Sequence, residues 1–322
     1  MDPFSDAGGM YFKYSCIENM NIGEHRRLTD IIFNTELFAI HNLFYQGAYK
    51  EVLEQSLAGY SDSAITQARV YHYRAQIALG SPEQVVAELD DTEGDAALAA
   101  VKALALYKAG ETESSLELVG ELLETSSDDA TVQVLGAIVL YLVGNVEDAL
   151  SLLSKHEGNL AAVAMIVQIR LVQNKLDLAS KEVQLAKKWG QDNLLVNLSE
   201  AWVDLHLGGE KYQEAFYIYE ELAQTPSTSN ARTFVGQAIA DIQLGRLEEA
   251  EDAINSALER DSTSPDVLVN AIILYILLGR DHSQYLEALQ SVDAENPFLT
   301  DLDEKSTLFD TCAAEYASLI VE

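Results

Sequence analysis

Residues 244–250 read Leu244-Gly245-Arg246-Leu247-Glu248-Glu249-Ala250. An apolar run ends at a glycine, mostly polar residues follow, and small and apolar residues then return at helical spacing. Glycine just after an apolar helix supplies the left-handed residue that ends it. Ala250, five residues on, lies where the two helices of a hairpin approach closely, and its small side chain permits the approach. Ala238, seven before the turn, and Ala257, twelve after it, complete the helix-turn-helix pattern. The phrase recurs at Leu142-Val143-Gly144-Asn145-Val146-Glu147-Asp148-Ala149-Leu150 and at Val172-Gln173-Asn174-Lys175-Leu176-Asp177-Leu178-Ala179. Looser copies centre on Gly47, Gly80, Gly110, Gly209 and Gly279, so successive turns are 33, 30, 34, 30, 35, 36 and 34 residues apart. The Gly80 and Gly110 copies carry Val85 and Ser115 in place of the alanine, and the Gly208-Gly209 copy has one extra residue before Ala215.

A period near 34 is the length of the tetratricopeptide repeat. The spacing predicts an all-α, right-handed solenoid of about eight helix hairpins with a C-terminal capping helix. The hairpins fall at 36–46/48–58, 63–79/82–89, 95–108/112–124, 128–143/145–154, 159–173/175–189, 192–207/211–224, 229–244/246–260 and 266–278/281–290. Nothing alternates with period two over a useful length, so no strand is expected. Pro265 and Pro297 are expected between hairpins, where a helix must break, and Pro82 in the first turn of a second helix, where proline is tolerated. The organisation is an N-terminal arm over 1–35, a repeat array over 36–298, and a capping helix and tail over 299–322. Leu302, Leu308, Phe309, Cys312, Tyr316, Leu319 and Ile320 form the apolar stripe by which that last helix should seat on the array, as a solenoid end requires.

Composition narrows the function. Twenty Lys and Arg stand against 52 Asp and Glu among 322 residues, a net charge of −32. That argues against nucleic acid and against direct binding to an anionic membrane, both of which need clustered base. A hydrophobic share of 48% excludes global disorder. The longest apolar run, 271–278, is far short of the roughly 20 residues a membrane span needs. No secretory pattern opens the chain, and the cysteines, Cys16 and Cys312, sit at opposite ends, which fits a reducing compartment. The sequon Asn197-Leu198-Ser199 lies in a helical stretch and reads as chance.

Chemistry is hard to place. His25, His41, His72, His156, His206 and His282 are scattered, with no metal-ligand spacing. Asp301-Leu302-Asp303-Glu304 lacks the glycine and closing glutamate of a calcium loop and reads as a solvated face. Asp90-Asp91 and Asp128-Asp129 sit at helix starts or in loops, where they complement the helix dipole. No nucleophile stands with a base. We expect no catalytic residue, no metal and no cofactor.

One feature points to a partner. The run 132–143 has only Gln133 as a polar member, 267–278 only Asn270, and 160–172 only Gln168 and Arg170. Helices apolar all round are buried all round. Either neighbouring repeats sandwich them, or Val134, Ile138, Tyr141, Leu171, Ile273 and Ile276 line a concave groove that another protein covers. A large exposed apolar strip on a permanent monomer would be a liability.

Several stretches resemble the epsilon subunit family of coatomer, the COPI vesicle coat. They are Ile40-His41-Asn42-Leu43-Phe44-Tyr45-Gln46-Gly47-Ala48-Tyr49, Ala164-Met165-Ile166-Val167-Gln168-Ile169 with Lys175 to Glu182, Ala201-Trp202-Val203 through Gly208-Gly209 to Glu221, and Asn296-Pro297-Phe298 through Tyr316-Ala317. The resemblance covers 36 to about 318 and is strongest over 161–260. It implies a non-catalytic coat subunit that binds and stabilises the C-terminal domain of the coatomer alpha subunit and meets the other subunits through it. It further implies a cytoplasmic protein, peripheral on Golgi membranes and COPI-coated vesicles, working in Golgi-to-ER retrograde and intra-Golgi transport without inserting into the membrane itself. Two other classes stay open. A free tetratricopeptide peptide-binding scaffold or co-chaperone would hold a carboxylate with base in the groove, but here the first helices are poor in base, with Arg74, Lys102, Lys108 and Arg170 scattered along them. A repeat-containing enzyme would need an ionisable cluster within one groove.

Residues 9–35 match nothing in that family and have no place in the repeat. They read either as a translated intron or as a genuine N-terminal extension, and either leaves an arm without a hairpin partner, expected to be mobile or poorly packed. Gly9-Met10-Tyr11 can be encoded with GTATGT, a splice-donor sequence. Thr29-Asp30 allows a branch-point-like CTGAC and Thr35-Glu36 an acceptor CAG. Excision would remove 36 − 9 = 27 codons in frame and leave a chain beginning Met-Asp-Pro-Phe-Ser-Asp-Ala-Gly-Glu-Leu-Phe. Sequencing the transcript decides: the intron reading expects those codons at both junctions and a spliced message lacking them.

Overall fold

The computed structural model describes residues 36–62, 64–89, 94–190, 193–225 and 228–320. The arm over 1–35, and with it the 9–35 reading, lies outside them. Seventeen α-helices and one 3-10 turn, with no strand, are found among the described residues. They are α1 (36–46), α2 (Tyr49–Glu54) with the 3-10 turn Leu57–Gly59, α3 (Ile65–Ala78), α4 (Pro82–Glu88), α5 (Ala96–Lys108), α6 (Thr112–Thr125), α7 (Ala130–Leu142) and α8 (Val146–Leu153). Then follow α9 (Leu160–Val172), α10 (Leu176–Ala186), α11 (Leu194–Leu207), α12 (Lys211–Gln224), α13 (Ala231–Gln243), α14 (Leu247–Arg260), α15 (Pro265–Leu277), α16 (Ser283–Val292) and α17 (Pro297–Ile320). Odd and even helices pair into eight hairpins, and α17 stands last, as the period predicts.

The turns are built as expected. Gly47, Gly80, Gly110, Gly144, Gly208, Gly209, Gly245 and Gly279 all have φ between +62° and +96°, and Asn174, at +56°, is the one non-glycine with positive φ among the described residues. At Gly80 the turn N–H donates to the Ile77 carbonyl at 3.1 Å and the next N–H to Gln76 at 3.1 Å. The same two bonds close the turns at 47, 110, 144, 174, 245 and 279. This is the Schellman arrangement, which pairs the carbonyls a helix end would leave orphaned. The extra residue at Gly208-Gly209 shows as a different closure, with the Gly208 N–H donating to Asp204. First helices open on side-chain caps: Asp95, Asp129, Asn159, Asn193 and Asn230 accept backbone N–H bonds from α5, α7, α9, α11 and α13.

The close approach falls where the alanines place it. Ala149, Ala179, Ala215 and Ala250 are fully buried, and so are Val52, Val85 and Ser115 at the same place in their hairpins. Opposite them, seven before the turn, Ile40, Ala103, Ala137, Val167 and Ala238 are also fully buried, as is Ala201, seven before Gly208, whereas Tyr73 opposite Val85 is half-buried. In the Gly279 hairpin Ile272 is fully buried but Gln284, five after the turn, is exposed. In the Gly110 hairpin the contact is direct: the Ser115 hydroxyl donates to the Ala103 carbonyl at 2.6 Å.

The chain divides into two compact units, the first ending at Ala149 and the second starting at Leu150, a border inside α8. In the first, Leu37, Ile40, Phe44, Val52, Ala64, Ala68 and Ala75 form a core between α1, α2 and α3. In the second, one core joins Val163, Val167 and Leu171 to Val183, Val196 and Val203, and another joins Val235 and Ala238 to Ile254, Val267 and Leu274.

Two details depart from the sequence reading. Pro265 and Pro297 do not lie between hairpins but are the first residues of α15 and α17. That position lacks an intrahelical N–H partner in any case, so proline starts the helix rather than separating it from its neighbour. The last helix is in place, but its stripe is not seated on the array. Phe298 and Leu299 pack on Leu268, Ile272 and Leu289, whereas Leu308, Phe309 and Tyr316 are 64%, 73% and 68% exposed.

Packing between hairpins yields a paired test. A Cβ on Gly236 of α13 would lie 2.3 Å from the ring of Tyr219 on α12, itself buried. A Cβ on Gly120 of α6 meets nothing within 4 Å. Gly236→Ala should lose about 1–3 kcal/mol by overpacking, and Gly120→Ala should gain up to about 1 kcal/mol of helix propensity. Urea unfolding of both variants measures the difference in sign.

Candidate partner-binding surface

The six residues expected to line a groove occupy repeating places on first helices. Ile138 and Ile273 stand six before their turns, Tyr141, Leu171 and Ile276 three before, and Val134 ten before. Val134, Ile138 and Tyr141 share α7, Ile273 and Ile276 share α15, and Leu171 is alone on α9.

In the first unit the inner places are largely closed by the chain itself. The Gln67 amide on α3 donates to the Thr131 hydroxyl on α7 at 2.9 Å, so first helices two hairpins apart touch. The Tyr107 hydroxyl on α5 donates to the Leu142 carbonyl at 3.1 Å. Gln133, the polar member of α7, donates to the Ser127 carbonyl at 3.0 Å. Val134 is buried within this packing, while Ile138 and Tyr141 are half-buried. The all-round apolar character of α7 is thus met mostly from within.

The second unit is more open. Leu171 is buried in the core with Val163, Val167 and Val203. On α15, which packs beside α13, Val267, Leu268, Ala271, Ile272 and Leu274 face inward, but Ile273, Ile276 and Leu277 remain 36%, 46% and 52% exposed. Val172 and Leu207, two before their turns as Leu277 is, are 73% and 44% exposed. Sequence reading missed this edge row. Its signal was an apolar residue recurring in the last turn of the first helices, next to the glycine or asparagine, where packing does not require one.

Two carboxylates are buried at matching places. Asp204 on α11 and Asp241 on α13 each stand four before a turn glycine and are 4% and 1% exposed. Asp204 Oδ2 and both Asp241 oxygens accept no hydrogen bond. Lys211 Nζ lies 3.9 Å from Asp204 and Arg246 Nη1 3.8 Å from Asp241, but both cations are engaged elsewhere, Lys211 with Glu214 and Arg246 with Gln213 at 2.5 Å. Burial dominates, and each carboxyl is pushed up from 3.8 to about 6, with the nearby cation only partly opposing the shift. At the other end of the chain, Arg74 stacks 4.3 Å over Phe44 beside Tyr45 and Tyr71, and burial lowers His41 in the same cluster.

Comparison with known proteins decides what carries this surface. Residues 33–317 match the coatomer epsilon subunit family. The chain belongs to that family. It is 33% identical over 296 residues to the probable coatomer subunit epsilon of Schizosaccharomyces pombe, covering 88% of this chain and 96% of that one. It is 31% identical over 257 residues to coatomer subunit epsilon-1 of Oryza sativa subsp. japonica, covering 79% and 88%. Among solved structures it resembles a chain of the APC/C hetero-tetramer Cut9-Hcn1 (TM-score 0.59, 15% identity, 87% of this chain and 58% of that one). It also resembles a tetratricopeptide repeat protein from Parabacteroides merdae (TM-score 0.56, 12% identity, 79% and 96%). These likenesses establish the tetratricopeptide fold. Family membership makes the chain a COPI coat subunit that associates with other coatomer subunits, and its relatives are structural subunits rather than enzymes. No described helix is long and apolar enough to cross a membrane.

The buried carboxylates give a pH prediction. Their folded-state values near 6 lie above the ordinary 3.8, so the folded state holds these protons more tightly. The stability they contribute is complete below about pH 4 and is lost as pH rises through about 6. Asp204→Asn and Asp241→Asn should therefore stabilise the chain at pH 7.5, by on the order of 1 kcal/mol or more each. They should have little effect at pH 4, which thermal melts at the two values measure.

Proposed function

We propose that this coat subunit binds the C-terminal domain of the coatomer alpha subunit through the inner places of its first helices. On this reading α15 of the second unit supplies the centre with Ile273 and Ile276, and in the first unit the half-buried Ile138 and Tyr141 of α7 offer contacts of their own. Val134 and Leu171, each buried within its own unit, hold their helices in place rather than touch the partner. The subunit contributes no chemistry; it stabilises alpha and reaches the remaining subunits through it. It works in the cytoplasm, peripheral to Golgi membranes and COPI-coated vesicles, in Golgi-to-ER retrograde and intra-Golgi transport. Recruitment to the membrane runs through other subunits, because a chain of net charge −32 is repelled by anionic lipid.

The observation that carries the reading is the triad Ile273, Ile276 and Leu277, exposed on a helix whose only polar member between 267 and 278 is Asn270. Leaving such a face in water costs solubility, and covering it yields the desolvated apolar centre typical of a stable interface.

Ile276→Asp or Ile273→Asp should weaken binding to the alpha C-terminal domain by about thirty-fold or more, the loss of one hot-spot residue. The fold should survive, since both side chains are already part-solvated. Val134→Asp should instead lower the melting temperature sharply. The acidic surface should also steer association with a basic partner, so the association rate should fall as salt rises. Binding by surface plasmon resonance at several ionic strengths, with circular dichroism of each variant, tests the proposal. Intact binding by well-folded Ile273 and Ile276 variants would overturn it.

A further inference from the structure

The end of α17 is an amphipathic helix whose residues 303–316 are all exposed. Its root is fixed: Phe298 and Leu299 pack into the core of Leu268, Ile272 and Leu289, and Leu302 is half-buried. Over 303–316, about 20 Å at the helical rise, Leu308, Cys312 and Tyr316 follow one another at four-residue spacing with Phe309 beside them, forming one apolar stripe. Asp303, Glu304, Asp310 and Glu315 flank and back it, and Lys305 is held by Asp301 at 2.5 Å. Helices gain most of their stability by burying such a face, and an isolated stretch of this length is marginal in water. The family match extends to residue 317, so it takes in this helix.

We infer that α17 is a second docking element, separate from the inner face of the repeats, and that its apolar stripe lies in a helix-wide groove, edged with Lys and Arg, on another protein of the coat. Charge selects this occupant. Residues 301–315 hold five acids (301, 303, 304, 310 and 315) against Lys305, on a chain of net charge −32. A second copy would set acid against acid along both flanks of the stripe, whereas a basic rim turns those flanks into attractive contacts and leaves Leu308, Phe309 and Tyr316 to enter the groove. The inference rests on the chain being a coat subunit but not on the alpha-binding role of α15.

The test uses the full chain carrying Cys16→Ser, so that the exposed Cys312 is the one thiol, and coatomer assembled without this subunit. Alkylation of Cys312 by iodoacetamide, followed by intact mass, should be fast in the free chain and at least tenfold slower in the complex. Leu308→Asp with Phe309→Asp should weaken incorporation at least tenfold, more so at higher salt, without moving the melting temperature of the free chain. Ile276→Asp should weaken binding while Cys312 stays protected in whatever complex remains, which separates this surface from the α15 reading. Unchanged alkylation and unchanged affinity in a complex that forms normally would overturn the inference. So would concentration-dependent protection of Cys312 in the free chain, which signals self-association, or a lowered melting temperature of the double variant, which signals packing on the chain itself.

Discussion

Most hairpins depend on one close crossing between their helices. The residue seven before the turn and the residue five after it are both fully buried in five of the eight, those turning at 47, 110, 144, 174 and 245, from Ile40 with Val52 to Ala238 with Ala250. Small side chains there, as in Ala137 with Ala149 and Ala238 with Ala250, let the helix axes come nearest. The Schellman closure at the glycine or asparagine aims the second helix back along the first at the angle the crossing needs. Larger pairs also occur there, Ile40 with Val52 and the half-buried Tyr73 with Val85. A polar residue must be satisfied, as Ser115 is by the Ala103 carbonyl. Repeat length, capping residues and core composition all follow from repeating this contact.

The same constraint sorts the remaining surface of each first helix. Once one side meets its own second helix, the adjacent hairpins take the flanks and only a narrow strip is left. In the first unit that strip is largely used internally, because Gln67 of α3 reaches Thr131 of α7. In the second unit the strip on α15 stays partly uncovered, with Ile273, Ile276 and Leu277 in it. Two helices with nearly equal apolar composition, α7 and α15, thus differ in what they offer a partner.

That difference marks how far the sequence was readable. The turns at all eight positions, the small residues of the crossing and the absence of strands among the described residues follow from spacing and residue type alone. The fate of Val134 and Leu171 does not. Both sit in apolar runs like that of Ile276, but whether a first helix is covered depends on the small rotation between successive hairpins, which no single residue specifies. The seating of α17 was hidden for a related reason. An apolar stripe reveals that a helix has a face to bury, and the stripe of Leu308, Phe309 and Tyr316 is as regular as one that packs on its own chain. The pairing of Asp204 with Asp241 was legible as a repeated position and went unnoticed, since an acid in a first helix of so acidic a chain carries no signal of its own.

Those two carboxylates bear on whether the fold could hide an enzyme. Values near 6 inside a structure are the usual mark of acid–base chemistry. Here their cause is architectural. Asp204 and Asp241 stand one turn before the end of their helices, where closing the hairpin buries the side chain, and each has a cation from its own turn, Lys211 or Arg246, held slightly too far away to bond. The perturbation arises separately in two successive hairpins, each time from a carboxylate four before a turn glycine, Gly208 or Gly245. A catalytic pair needs two groups whose environments drive their proton affinities apart. These two are driven the same way by the same geometry, which makes them a by-product of the repeat and consistent with a family of structural coat subunits.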